Sequence, residues 1–349
     1  MNGEHLAAKY AMALLVPLLA TLWFTPVAGW LARRLGFMDH PSETRHHRAA
    51  TPYLGGVAIA AGLVVIGGIA ASSSGQILTV LACGATMMVL GLVDDKRGLQ
   101  PVSKLIVEVG AASALWLSGV GAGLFHVPVL DYGLTVLWVV AITNAINLID
   151  NMDGLAAGVT AIAGVTFFHI AASHGEYLVA SFALALTGAS LGFLRHNFPP
   201  ARIFLGDAGS LMLGFFLAAL ALKLDLVGES GVMRSAIPLL VLGVPLFDMT
   251  LVIITRLREH RPISLGGTDH SSHRLTEIGF SGRGVALATY GAQIVCCLLA
   301  VALMHLGDVA AYVVVVGVGI VAVGVLLWFL GIRAPQRAQL VSEGSETGL

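Results

Sequence analysis

The chain has 349 residues, of which 57% are hydrophobic and only 11% are charged, and its mean hydropathy is +0.87. A soluble globular domain carries about 25% charged residues, so the composition excludes an ordinary soluble fold and predicts an all-α, polytopic membrane protein. The net charge of −1 averages the two sides of a membrane, and the three cysteines lie in apolar runs, so neither a disulfide framework nor a thiolate metal site is indicated.

Eleven apolar runs are each close to the roughly 20 residues that a bilayer core requires. The predicted spans are approximately 11–31, 53–71, 77–93, 103–120, 132–150, 154–173, 177–195, 205–224, 236–256, 284–304 and 309–331. The first run is too long for a typical signal peptide and lacks a clear cleavage site, so we interpret it as a retained helix. Residues 1–333 are predicted to form a single integral membrane domain, and residues 334–349 a short, disordered cytoplasmic tail.

The basic residues divide the predicted loops into two sets. All but three of the 19 lysines and arginines fall in one set, and the exceptions are Lys9, Lys223 and Arg234. By the positive-inside rule the basic set is cytoplasmic, which predicts an external N-terminus and a cytoplasmic C-terminus. The polar motifs described next fall on the same side, so any chemistry is expected at the cytoplasmic face.

The first inner loop, residues 39–56, reads DHPSETRHHRAATPYLGG. Arg45, His46, His47 and Arg48 form a basic cluster beside the bilayer. Such a cluster favours anionic headgroups and prenyl phosphates alike.

The second inner loop, residues 91–104, reads GLVDDKRGLQPVSK and places Asp94 and Asp95 at the inner end of the third span. Adjacent carboxylates repel each other unless a cation is near, and such a pair can hold Mg²⁺ or supply a general base. Lys96 and Lys104 can meet phosphate oxygens. The ordinary alternative is a solvated turn that only marks the topology.

Residues 144–158, NAINLIDNMDGLAAG, end an apolar run with a cluster of amides and carboxylates. On a helix, Asn144, Asn147 and Asn151 share a stripe about 60° wide with Asp150 at its edge, and Asp153-Gly154 is predicted to end that helix. These groups are costly against lipid, so they are expected to face a polar cavity, a partner or a ligand. A polar contact between packed helices is the alternative.

Residues 202–214, RIFLGDAGSLMLG, set Asp207 between glycines where the eighth span begins. The glycines let backbone approach a ligand closely, and the amides of a helix N-terminus attract anions. An ordinary N-cap is the alternative interpretation of Asp207.

The longest inner loop, residues 256–284, carries His270 and His273, which share a face if the segment is helical. Two histidines at this spacing can ligate zinc, but no third ligand is obvious. Together with Arg261 and Arg274 they more readily hold a phosphate or a polar sugar. A basic loop that only orients the protein is the remaining alternative.

Five blocks in this order resemble the polyprenyl-phosphate N-acetylhexosamine-1-phosphate transferases. The blocks are D-x-P…H…TP-x-LGG at 39–56, GLVDD…GL…K at 91–104, NxxNxxDxxDGLA at 144–156, FLGDAGS at 204–210 and P-x-FD…R…H-x-x-HR at 245–274. Each block is weak alone, but five in register over nearly the whole chain make a specific signal.

The resemblance implies a multi-pass enzyme of the bacterial inner membrane with a cytoplasmic active site. Such an enzyme transfers a sugar 1-phosphate from a UDP-sugar to polyprenyl phosphate and releases UMP, as the first lipid-linked step of envelope polysaccharide synthesis. It requires Mg²⁺, for which Mn²⁺ is a substitute. No nucleic-acid partner is implied, and the oligomeric state is left open, with a homodimer as one form.

The resemblance also implies roles for individual residues. Asp94 and Asp95 match the catalytic aspartate pair, with Asp94 as the candidate base. Asp207 matches the principal Mg²⁺ ligand and Asn147 a second one. The residues that match substrate-binding positions are Lys104, Asn144, Asp150, Asp153, His270, His273, Arg274, Arg45 and His47.

Three positions depart from the family pattern: Thr44 stands in place of Arg, Asn151 in place of Gly, and Ser272 in place of a third histidine. The spacing His270-Ser-Ser-His273 favours UDP-N-acetylglucosamine, or a close N-acetylhexosamine relative, as the donor. A phospho-N-acetylmuramoyl-pentapeptide transferase of the same family is the alternative.

Two other classes of protein fit the sequence less well. A cation-coupled transporter would place its polar residues near the bilayer midplane rather than at one face. A CDP-alcohol phosphotransferase would need an Arg after Asp153-Gly154 and further aspartates at helical spacing, and the chain has neither.

Overall fold

The computed structural model describes residues 3–39, 50–71, 75–224, 226, 231–264 and 267–332. The predictions for Arg45 and His47 and for the tail 334–349 lie outside these residues. Within them the protein is a bundle of α-helices with one two-stranded antiparallel sheet, in which β1 (Met38–Asp39) pairs with β2 (Thr51–Pro52). The predicted all-α class is confirmed.

The helices follow one another with short connections. They are α1 Gly3–Leu35, α2 Gly55–Ala71, α3 Gly75–Arg97, α4 Pro101–Leu117, α5 Pro128–Ile149, α6 Leu155–Ser173, α7 Tyr177–Asn197, α8 Gly206–Lys223, α9 Gly231–Val241, α10 Gly243–Arg258, α11 Ser271–Glu277, α12 Gly282–Leu303 and α13 Asp308–Gly331.

Eight of the described helices are long and apolar enough to cross a membrane, or nine if α9 and α10 together make one span. This supports a multi-pass membrane protein. The two other predicted spans correspond to α2 and α4, which have 17 residues each. The predicted number of eleven spans and the orientation of the termini remain predictions.

The ninth predicted span, 236–256, is not one straight helix. It is divided into α9 and α10, whose axes differ by 76°. Pro245 has no N–H to donate to the carbonyl of Val241 four residues earlier, which favours a break. Gln293 of α12 replaces that donor, with its Nε2 2.6 Å from the Val241 oxygen.

The first turn of α8 is packed tightly against α2 and α3. Every residue from Ala208 to Ala221 is buried. A Cβ on Gly91 of α3 would lie 2.3 Å from the backbone of Asp207 and Ala208, and a Cβ on Gly56 of α2 would lie 2.3 Å from Gly209. Glycine at these positions lets the helix backbones touch, and this contact brings the end of α3 to the start of α8.

The end of α5 differs from the prediction. The helix ends at Ile149 rather than at Gly154, so Asn151 does not continue the helical stripe of Asn144 and Asn147. The following turn is held from outside the helix: Asn197 Oδ1 accepts from Gly154 N, and the Tyr290 hydroxyl donates to the Gly154 oxygen. Gly154 has a φ of +79°, which favours glycine there.

Candidate active site

Asp95 joins the end of α3 to the start of α8. Its Oδ1 accepts a hydrogen bond from the backbone N–H of Asp207 at 2.9 Å, and its Oδ2 accepts from Ala208 N at 3.3 Å. A carboxylate at this position satisfies amides that a helix N-terminus leaves unpaired and complements its positive end. Asp95, predicted to be catalytic, is therefore placed where it positions Asp207.

Asp94 and Asp207 share a lysine. Lys104 Nζ lies 2.6 Å from Asp94 Oδ2 and 3.5 Å from Asp207 Oδ2. The other oxygen of Asp94 accepts from Leu99 N at 2.5 Å, and the Asp94 side chain is buried, whereas 34% of the Asp207 side chain is exposed. The structure thus gathers three predicted site residues from α3, α4 and α8 around one ammonium group.

Asn147 approaches the same carboxylate from α5. Its Nδ2 donates to Asp207 Oδ1 and to Ser210 Oγ, both at 2.9 Å. The amide of Asn147 and the carboxylate of Asp207 therefore lie side by side, and the shared metal site stays a prediction.

The donor set fits Mg²⁺ better than a transition metal. The described residues contain no group of three or more His, Cys, Asp or Glu side chains arranged to hold a metal ion. Mg²⁺ is commonly bound by one or two protein oxygens together with substrate phosphates and water. Asp207 and Asn147 supply such a pair of side chains, and Asp207 is accessible to solvent.

Asp150 lies directly after α5, in an environment of like charge. Desolvation first, and then the negative charges of Asp207, Asp95 and Asp153, raise the pKa of Asp150 well above its usual value. A carboxylate in this setting favours a proton or a nearby cation. Asp150 therefore belongs electrostatically to the cluster around Asp207.

Asp153 supports the turn on the other side of the cluster. Its Oδ2 accepts from Ala201 N at 2.8 Å, which ties the turn after α5 to the segment that leads into α8. This position is compatible with a binding role and also contributes to the local architecture.

Asn144 is directed toward α4. Its Nδ2 donates to Glu108 Oε2 at 2.6 Å and to the Val140 carbonyl at 2.9 Å. In the structure Asn144 thus makes the polar helix–helix contact that was the alternative, and its predicted substrate contact stays a prediction. Glu108 was missed, although an acidic residue one helical turn after Lys104 in an apolar run was a visible signal.

The last inner loop is organised by Asp248 of α10, the aspartate of the P-x-FD motif, to which the sequence assigned no role. His270 Nδ1 lies 2.7 Å from Asp248 Oδ2, while the backbone and the hydroxyl of Ser271 donate to Oδ1. The rings of His270 and His273 are 5.9 Å apart, and both side chains are buried. The two histidines therefore share one face, as predicted, and Asp248 fixes the orientation of the first.

Arg274 serves the architecture of this region. Its guanidinium donates to the carbonyls of Phe329 and Ile332 at the end of α13, to Thr255 Oγ1 and to the Asp269 carbonyl. Four of its five N–H groups are thereby used, and the side chain is buried. In the structure Arg274 therefore anchors the last helix, and its predicted contact with the donor stays a prediction.

A buried ion pair holds the start of the same loop. Arg256 Nε and Arg261 Nη2 both donate to Asp269, at 3.0 and 2.5 Å. Burial alone would raise the pKa of Asp269, but the hydrogen bonds from Arg261 and Arg256 keep that pKa below its usual value. Arg261 is therefore committed to a carboxylate within the loop.

Two departures from the family pattern contact each other. Ser272 Oγ lies 2.5 Å from Asn151 Oδ1 and is its hydrogen-bond donor. The pair connects α11 to the turn after α5. Ser272 is the donor and Asn151 the acceptor of one hydrogen bond, so the residue types at these two positions are explained together.

The fold and the site define an integral membrane protein with a cluster of aspartates, an asparagine and a lysine at one end of its helices. The model of glycosyl transferase family 4 matches residues 77–225. The "Probable undecaprenyl-phosphate N-acetylglucosaminyl 1-phosphate transferase" of Bacillus subtilis (strain 168) is 40% identical over 294 residues, which cover 81% of each chain. The chain belongs to glycosyl transferase family 4, as its motifs predicted.

Two further relatives differ in the substrate that their names state. The decaprenyl-phosphate N-acetylglucosaminephosphotransferase of Mycobacterium tuberculosis is 35% identical over 322 residues, covering 81% of this chain and 79% of its own. The phospho-N-acetylmuramoyl-pentapeptide-transferase of Moorella thermoacetica is 38% identical over 223 residues, covering 56% of this chain and 70% of its own.

Proposed function

We propose that the protein transfers N-acetylglucosamine 1-phosphate from UDP-N-acetylglucosamine to polyprenyl phosphate and releases UMP. The observation that carries this proposal is the convergence of Asp94, Lys104, Asn147 and Asp207 at one end of the bundle. Transfer between two phosphates needs little covalent chemistry from the protein but needs charge neutralisation and positioning, which this cluster can supply.

The reaction replaces one phosphorus–oxygen bond by another. An oxygen of the lipid phosphate attacks the phosphorus that bears the sugar, and the bond from that phosphorus to the oxygen of UMP breaks. In this proposal Lys104 contacts the phosphates, and Asp94 accepts the proton of the lipid phosphate when that phosphate is protonated. Asp95 holds the backbone of α8 so that Asp207 faces the substrates.

Asp207 and Asn147 are the residues that would hold Mg²⁺, with Mn²⁺ as a substitute. When bound, the ion would neutralise the negative charge of the donor pyrophosphate. The raised pKa of Asp150 supports a need for positive charge near this group.

The proposal extends to location and topology. Residues 1–333 would form one domain of eleven spans in the bacterial inner membrane, with α2, α4 and the bent pair α9–α10 each crossing the bilayer. The N-terminus would be external and the cluster cytoplasmic, where the soluble donor is available. The unequal distribution of basic residues supports this orientation.

The last inner loop favours UDP-N-acetylglucosamine over a muramoyl-pentapeptide donor. Ser272 stands where that branch carries a histidine, and its hydroxyl is used by Asn151. His270 and His273 remain as the candidates to hydrogen-bond the sugar. Two relatives named as N-acetylglucosamine transferases are 40% and 35% identical to this chain over 81% of its length.

The test is a direct assay of UMP release. Purified full-length protein receives Mg²⁺, polyprenyl phosphate and one UDP-sugar at a time. We expect turnover with UDP-N-acetylglucosamine and its abolition in Asp207→Asn, while Asp308→Asn, a matched change in the first turn of α13, retains activity. Turnover with the muramoyl-pentapeptide donor alone would refute the sugar assignment, and normal turnover by Asp207→Asn would refute the metal site.

A further inference from the structure

A basic cavity lies beside the carboxylate cluster and is separate from it. It has a volume of about 630 Å³ and is bounded by the end of α7, the turn 198–202 and the start of α12. Arg195, Arg202 and Arg283 line it, and the aspartates of the cluster do not. The proposed reaction assigns no role to this cavity.

The end of α7 and the turn that follows it bring two of these arginines together with one from the start of α12. Arg195 lies in the last turn of α7, and the backbone N–H of Arg202 donates to the His196 carbonyl at 2.9 Å, which closes the turn between them. Arg283, in the first turn of α12, donates from Nε to the Pro199 carbonyl at 2.9 Å. This bond orients the guanidinium and leaves its two terminal nitrogens available.

The cavity has an excess of positive charge. All three arginines are exposed, none forms an ion pair with a carboxylate of the described chain, and none of the described residues that line the cavity is acidic. Asp153, the carboxylate that contacts the turn, accepts from Ala201 N but does not line the cavity. Like charges that converge without a counter-ion favour an anion, and guanidinium groups bind phosphate in a bidentate manner.

The rest of the lining is apolar except for His196, whose Nε2 lies 3.1 Å from the Leu22 carbonyl. Leu191, Leu194 and Phe198 follow one another at helical spacing, and Leu191 is 41% exposed on a helix long enough to cross a membrane. The lining is therefore divided into an apolar part along the span and a basic part at its end. A soluble phosphate would use only the basic part.

We propose that this cavity binds an anionic glycerophospholipid, with the phosphate between the three arginines and an acyl chain along Leu191 and Leu194. Basic pockets between helices at the cytoplasmic level of a membrane recognise anionic headgroups in this way. Binding here does not depend on the transfer reaction, because none of the residues proposed for that reaction lines the cavity.

The test measures lipid binding to the full-length protein after purification and delipidation in neutral detergent. Native mass spectrometry follows titration with phosphatidylglycerol and, separately, with phosphatidylcholine of the same acyl chains. Replacement of Arg195, Arg202 and Arg283 by Gln should weaken phosphatidylglycerol binding about fivefold per arginine, on the order of 10² in the triple variant, and leave phosphatidylcholine binding unchanged.

The matched control replaces three other exposed arginines, Arg33, Arg97 and Arg258, by Gln, with the same change in net charge. It should bind phosphatidylglycerol as the unmodified protein does. Equal losses in the two triple variants would overturn the proposal, because attraction would then be nonspecific. Displacement of the lipid by equimolar glycerol phosphate would overturn it in favour of a soluble phosphate site. If the triple variant does not fold, Arg195→Gln alone decides, with a fivefold loss expected and no loss refuting the site.

Discussion

Asp95 should be required for the placement of Asp207 as well as for transfer. Its carboxylate accepts from two consecutive backbone amides in the first turn of α8, at 2.9 and 3.3 Å, and Ala208 is buried. Asp95→Ala removes both acceptors, whereas Asp95→Asn keeps one oxygen and loses the charge. The two variants therefore separate a positioning role from a purely chemical one.

The magnitudes follow from the number of hydrogen bonds lost. A buried amide left without an acceptor costs about 1–3 kcal/mol, so Asp95→Ala should lose about 2–4 kcal/mol once some relaxation is allowed. Asp95→Asn retains one hydrogen bond and should lose about 1–2 kcal/mol. Because a displacement of about 1 Å in a site can cost roughly 10² in rate, both variants should also lose activity.

Thermal unfolding in detergent, read with UMP release, checks this prediction. At about 2 °C per kcal/mol for a chain of this size, Tm should fall by roughly 4–8 °C in Asp95→Ala and by about half as much in Asp95→Asn. The same changes at Asp308, an exposed residue in the first turn of α13, should shift Tm by about 1 °C or less. Loss of activity in Asp95→Ala with an unchanged Tm would refute the positioning role.

Two further predictions concern topology and packing. In a cysteine-free variant, cysteines introduced at Arg97 and at Gly123 should react with impermeant reagents from opposite sides of the membrane, and labelling from one side would contradict the proposed orientation. Gly91→Ala should destabilise the protein by about 1–3 kcal/mol and lower turnover, because its Cβ would lie 2.3 Å from the backbone of α8. Gly110→Ala, whose Cβ would meet nothing within 4 Å, is the control, and equal Tm values for the two variants would contradict this account.

Hydropathy predicted the bounds of a helix well where a continuous apolar run alone determines them. The predicted spans 154–173 and 309–331 correspond to Leu155–Ser173 and Asp308–Gly331. The break between α9 and α10 was missed, because the run around it stays apolar and membrane helices tolerate proline when a neighbour replaces the lost donor. Here that neighbour is Gln293 of α12, which only the folded structure brings near.

The site was predicted less completely, and for a physical reason. Periodicity places residues on one face of one helix, but Asp95 and Asp207 are 112 residues apart, and their contact depends on the packing of α3 against α8. The resemblance to a family supplied that juxtaposition. It did not supply Glu108, although an acidic residue within an apolar helix indicates a buried partner, which here is Asn144. The family motif does include Asp248, but its contact with His270 is known only from the structure.

The balance of charge in the cluster bears on how substrates enter it. Asp94, Asp95, Asp150 and Asp207 face a site in which the ammonium of Lys104 is shared by two of them. A pyrophosphate and a lipid phosphate would add further negative charge, so neither can approach favourably without added positive charge. A divalent cation that arrives with the donor supplies this positive charge. A permanently charged side chain would also supply it, but would hold the product as well. The excess of carboxylates therefore supports the proposed dependence on Mg²⁺ on electrostatic grounds independent of the family resemblance.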